Sequence, residues 1–126
     1  MYALTVRQPW ASLIMSGHKR VENRPWRPSP QRLPVGQRFY IHSGKSRDTR
    51  PSELPGELKA QFATAPTGVL LGTVVLAGIH SPGECDSRCR LYGDQNAKYH
   101  WMLAAPEPLT VPVQMPGRLS LWPVKP

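Results

Sequence analysis

Apolar and polar residues change places in short runs along this chain, a rhythm that favours strands over long helices. Tyr2–Val6 and Arg38–His42 each read as a strand, the second entering a turn at Ser43-Gly44-Lys45. Val69–Ile79 is the longest apolar segment, rich in β-branched residues and interrupted by Gly72, Thr73 and Gly78. It predicts the central strand of a sheet, bent at one of the glycines. Tyr99–Leu103, Leu109–Met115 and Leu119–Val124 predict three more strands. Helical spacing is clear in one place, where Pro9 precedes Trp10, Leu13 and Ile14, and Gly17 supplies the stop. Proline at a first helical position loses no hydrogen bond, so this predicts a helix of about eight to ten residues. A weaker pattern of Leu54, Leu58 and Phe62 is broken by Pro55 and Gly56, and predicts a helix only from about Glu57. Between Gly17 and Pro25, a strand would place Arg20, Glu22 and Arg24 on one face and Val21 on the other. Residues 81–97 read as a polar loop.

These elements sum to an α+β chain: about six short strands with one to three flanking helices, forming a small, partly closed β-barrel or a strongly coiled sheet. The length of 126 residues fits a single domain spanning 1–126. The 15 prolines are scattered and separated by apolar runs, so they stiffen loops rather than signal disorder. No apolar run approaches the ~18–20 residues of a membrane span. The N-terminus also lacks the basic-then-apolar layout of a secretion signal. The expectation is a soluble, cytoplasmic chain with no membrane partner.

Charge sharpens the picture. The net charge of +8 resides in residues 1–50, which hold ten bases and two acids, while residues 51–126 hold six of each sign. A positive field gathered in one part of a small domain attracts polyanions, and nucleic acid is the commonest. The plain alternative is solubility. Arg7 and Gln8 precede the helix start, whose free N–H groups suit a phosphate or a base carbonyl. Gln8 suits a base edge, and Arg7 a phosphate. Lys19, Glu22 and Arg24 follow the helix with a cation, a carboxylate and a guanidinium fork. Glu22 is either a structural partner of Lys19, Arg20 or Arg24, or a proton acceptor toward a base or a water.

Trp10, Trp26, Tyr40, Tyr99 and Trp101 offer faces for an unstacked base, whereas Trp122 reads as core. Trp26, in a proline loop beside Arg27, is either an exposed stacking platform or a lid over the sheet's end. His42, Ser43 and Lys45 close a strand that faces the same cavity; His42 beside Lys19 would serve as a neutral acceptor. Cys85-x3-Cys89 with His80 and His100 has the loose spacing of a zinc site, and a disulfide is the other option. The reading favours reduced thiols, no metal and no cofactor.

Leu4-Thr5-Val6-Arg7-Gln8-Pro9-Trp10-Ala11-Ser12-Leu13-Ile14, followed by Gly17-x-Lys19-x-x-Glu22-x-Arg24, resembles the signature of the ASCH domain, of the PUA-like superfamily. The resemblance continues through Gly68–Gly72 and through Gly117, Leu121 and Trp122. It implies a six-stranded, barrel-like sheet with a cleft, a nucleic-acid-binding role, and no metal. RNA is favoured over DNA, either as single strands or as a modified base, with Arg7, Gln8, Trp10, Lys19, Arg24, Trp26, Arg27, Ser43 and Lys45 as binding residues. Some ASCH proteins resembling this chain are amidohydrolases acting on acetylated cytidine, through a lysine, a threonine three residues later and a glutamate on a later strand. Lys19 matches the lysine. The threonine position holds Glu22, and Val69–Ile79 offers Thr73 instead of an acid. A metal-independent ribonuclease is the other enzymatic reading, with Lys19, Glu22, His42 and Tyr99 as its catalytic group. A third reading is a protein-interaction module of a transcription or translation coregulator, whose basic face meets an acidic partner.

Overall fold

The structure, a computed structural model, describes residues 1–48, 54–84, 86–94 and 96–125. In chain order the elements are β1 (Tyr2–Gln8), α1 (Trp10–Met15), β2 (Val21–Arg24), β3 (Arg38–Arg47), α2 (Gly56–Phe62), β4 (Val69–His80), α3 (Ser87–Arg90), β5 (Tyr99–Gln114) and β6 (Leu121–Pro123). The strands form one six-stranded sheet in the order β2-β5-β4-β3-β1-β6. β1 and β3 run parallel, and every other neighbouring pair is antiparallel.

The α+β expectation of a six-stranded coiled sheet holds, and the barrel alternative does not. The end strands β2 and β6 are four and three residues long and pair with β5 and β1, not with each other. Coiling nevertheless brings β2 toward β1, where the Arg24 guanidinium donates to the backbone oxygen of Thr5 at 2.9 Å. A side chain bridges the seam in place of a backbone ladder.

The core lies under α1 and within the curl of the sheet. Leu4, Ile14, Leu33, Phe39, Ile41, Leu76 and Trp101 are all essentially fully buried there. Strands β4 and β5 carry the curvature, with register shifts between Leu70 and Gly72 and between Leu76 and Gly78. Bends thus fall at both glycines singled out in the longest apolar run.

Several element boundaries differ from expectation. The turn foreseen at Ser43-Gly44-Lys45 is strand, since β3 runs on to Arg47. The two strands foreseen at 99–103 and 109–115 are one strand of 16 residues. Its prolines are tolerated because β2 pairs only with Tyr99–Met102, leaving the rest of that edge free of a ladder. The loop at 81–97 contains a 3-10 turn and α3. Helix α1 has six residues rather than eight to ten, and Pro9 stands one position before it. Among the described residues, no helix is long and apolar enough to cross a membrane.

Candidate nucleic-acid interface

The open seam is a cleft of about 800 Å³. Its walls come from β1, the start of α1, β2, the end of β3, the 92–94 segment of the long loop, and the 118–120 segment before β6. Each polar group on the floor is held by a neighbour. Glu22 and Arg24 alternate onto one face of β2, as their spacing required. Arg24 donates to Glu22 Oε2 from Nε at 2.8 Å, and its Nη2 sits 2.8 Å from the same oxygen. This supports the structural reading of Glu22, whose carboxylate neutralises and orients the guanidinium that crosses the seam. Lys19 is buried to 5% exposure; its Nζ donates to the Tyr92 carbonyl at 2.5 Å and lies 5.5 Å above the Trp10 ring. Trp10 Nε1 in turn donates to Asp48 Oδ2 at 3.1 Å. Asn23 pairs with the backbone of Asp94 through both ends of its amide, at 3.2 and 2.8 Å. Gly93 permits that approach: a Cβ there would lie 2.8 Å from Val21 Cγ1 and would also collide with the Cys89 carbonyl.

The rim is different. Arg7, Lys45 and Arg118 are exposed and line the cleft, yet none has a carboxylate partner among the described residues. In all, five cationic side chains and three carboxylates line the seam. Cations whose hydrogen-bonding capacity is unspent, set around a partly aromatic floor, suit phosphates and a base.

Of the residues expected to act together, the cleft gathers Arg7, Trp10, Lys19, Glu22, Arg24 and Lys45. The others stand elsewhere. Gln8 is fully buried: its Nε2 donates to Pro66 O at 2.7 Å and Ser12 Oγ at 2.8 Å, while its Oε1 accepts from Ser12 N at 2.9 Å. It caps α1 from within at Ser12 N, so Gln8 is not offered to a base. Trp26 is the lid rather than the platform, packed edge-on to Trp101 at 5.0 Å and accepting the Trp101 Nε1–H at its own carbonyl. Trp101 is fully buried and presents no face to a ligand. Arg27 is exposed but does not line the cleft.

Ser43 is fully buried and donates to Val69 O at 3.3 Å. His42 is buried too, held between Thr5 and Met115 and edge-on to Trp122. It does not meet Lys19. Tyr99 is half-buried, with Lys98 over its ring, and lies outside the cleft lining. Thr73 is buried on β4 and accepts from Arg38 at 3.0 Å. The ribonuclease group of Lys19, Glu22, His42 and Tyr99 is therefore split, and Thr73 does not line the cleft that holds Lys19 and Glu22. Cys85 lies outside the described residues. Sequence reasoning missed Asn23, Asp48, Asp94 and Arg118. Arg118 had one signal, its place directly after Gly117.

The sequence matches the ASCH domain family over residues 4–112. The chain belongs to the ASCH domain family. It is 27% identical over 96% of its length to activating signal cointegrator 1 of Mus musculus, and 27% identical over the same share to the Homo sapiens protein. It spans 22% of the length of each of those relatives. The crystal structure of ASCH from Zymomonas mobilis superposes with a TM-score of 0.61 at 15% identity, covering 98% of this chain and 87% of that one. A point mutant of the same bacterial protein gives 0.60 at 15% identity, covering 98% and 89%. ASCH domains are a PUA-like family of RNA-binding modules. In this ASCH chain the cleft's rim is built from Arg7, Lys45 and Arg118.

Proposed function

We propose that this ASCH domain binds single-stranded RNA at the seam, with a base, plain or modified, lying toward Trp10 and phosphates on Arg7, Lys45 and Arg118. The observation that carries this reading is the contrast between floor and rim. Lys19, Glu22 and Arg24 are locked into internal contacts, whereas the three rim cations have no carboxylate to satisfy them among the described residues. Binding rather than cleavage is favoured because one oxygen of Glu22 is held by Arg24 and because His42 and Tyr99 lie outside the cleft.

The test is fluorescence anisotropy and gel analysis of end-labelled single-stranded RNA, with single-stranded DNA of the same sequence in parallel. The expected result is RNA bound more tightly than DNA and recovered intact after hours in EDTA. RNA fragments that disappear with Lys19→Ala would replace this reading with the nuclease. A protein captured from lysate after nuclease treatment, with no RNA bound, would replace it with the interaction module.

A further inference from the structure

Leu119 is the most exposed large apolar side chain among the described residues, at 93%. A lone exposed leucine is ordinary on a protein surface, but Leu119 stands on a ridge between two hollows. On one side is the seam; on the other is a second hollow of about 380 Å³. Leu119, Lys45 and Arg118 line both. The second hollow presents half-buried Met115 and exposed Pro116 beside Leu119. His42 borders it but is 1% exposed, so an occupant meets those side chains and not the imidazole. The back wall is held by backbone: Gly68 N–H donates to the Ser43 carbonyl at 2.8 Å, and the Gly68 carbonyl accepts from Met115 N–H at 3.1 Å. Ser120 has a φ of 57°, a left-handed backbone that an L-residue adopts at a cost. The chain turns there, so Leu121 enters the core while Leu119 stays outside it.

We propose that Leu119 is a wedge that separates two consecutive bases of the bound strand. One base lies in the seam toward Trp10, the next lies in the second hollow, and the phosphate between them rests on Lys45 and Arg118. This rests on the RNA reading of the seam and adds a second base site to it. The charge on the ridge selects this occupant. Neither Lys45 nor Arg118 has a carboxylate partner among the described residues, so an apolar tip is flanked by cations on the path from one hollow to the other. An apolar side chain pushed into a base step replaces base-on-base stacking with contact on itself. Cations beside it hold the phosphate of the opened step. Continuity supplies the route, since a strand leaving the seam over Lys45 passes directly into the second hollow.

The test uses two short single-stranded RNAs, an oligoadenylate and a mixed sequence, each with a central adenine–2-aminopurine step whose emission is quenched while the bases are stacked. Anisotropy reports binding, and emission intensity reports unstacking in the same titration. Binding to the wild type is expected to raise the emission. Leu119→Ala should bind about fivefold more weakly, the worth of burying part of a leucine side chain, and should lose the rise. It should keep the wild type's denaturant midpoint, because the side chain is exposed. Leu119→Met, which keeps an apolar side chain of similar volume, should keep the rise. RNA bound by the wild type with no rise, or an equal rise in Leu119→Ala, overturns the wedge and leaves the seam reading standing. Binding of neither RNA overturns the seam reading, and the wedge with it.

Discussion

Thr5 stands between two polar clusters built from similar side chains and put to opposite uses. Its hydroxyl belongs to a hydrogen-bonded knot. Trp122 Nε1 donates to Thr5 Oγ1 at 3.1 Å, Thr5 Oγ1 lies 3.2 Å from His42 Nδ1, and His42 Nε2 reaches Met115 O at 2.8 Å. A carbonyl only accepts, so Nε2 holds the proton and Nδ1 receives the threonine's. Every hydrogen-bonding position of the imidazole is thus filled. Gly117 closes the knot, because a Cβ there would come within 2.7 Å of the His42 ring and 2.8 Å of Thr5 Oγ1. The carbonyl of Thr5 faces the other way and accepts from Arg24 at the open seam, below a rim of cations with unspent donors. The comparison separates two meanings of a polar residue in a small domain. With its hydrogen bonds satisfied, it fixes the fold; exposed and without a carboxylate, it awaits a ligand.

The knot should fail hardest. His42→Ala leaves Thr5 and the Met115 carbonyl without their partner and opens a cavity, at an expected cost of about 3 kcal/mol of unfolding free energy. Denaturant titration checks it, and RNA affinity per folded molecule should stay the same. If His42→Ala instead removed binding while leaving stability intact, the two clusters would have been assigned the wrong way round. The seam clamp should cost less. Glu22→Ala frees a half-buried guanidinium from its carboxylate, with an expected loss of about 1–2 kcal/mol in the same titration.

At the rim, Arg7→Ala should leave stability within about 0.5 kcal/mol. It should weaken RNA binding by roughly tenfold at low salt, since one charge-assisted phosphate interaction is worth about 1.5 kcal/mol. The smallest effect belongs to the exposed Asp86–Arg88 pair at the start of α3. The Asp86 carboxyl is lowered from 3.8 to about 2, chiefly by the Arg88 side chain and then by the Arg88 backbone N–H it accepts. A depressed carboxylate contributes its stability above its ordinary pKa and loses it as pH falls through the folded value. Carboxyl NMR should therefore give an Asp86 midpoint near 2, moving back toward 3.8 in Arg88→Ala, with little change in melting behaviour above about pH 5.

Much of the frame was legible because alternation is local. β1, β3 and β4 announced themselves through their apolar runs, and the shared face of Glu22 and Arg24 followed from strand geometry alone. What stayed hidden depended on neighbours distant in sequence. Gln8 reads as a polar residue beside a helix start, and only the arrival of Pro66 makes it an internal cap. His42 reads as chemistry until Met115 and Trp122 enclose it. Pro106 and Pro108 fall in the gap between the strands foreseen at 99–103 and 109–115, and their tolerance in β5 depends on β2 being too short to pair with them. Arg118 and Asp94 reach the cleft through loops whose course no local pattern encodes.

The salt dependence of RNA affinity, measured for the wild type and for a triple Arg7→Ala, Lys45→Ala, Arg118→Ala variant, tests the central claim most directly. Removing one cation that grips a phosphate of a single strand should reduce the slope of log affinity against log salt by about 0.7, so the triple variant's slope should fall by about 2. That variant should unfold at the wild type's denaturant midpoint. An unchanged slope in a well-folded triple variant would contradict the account.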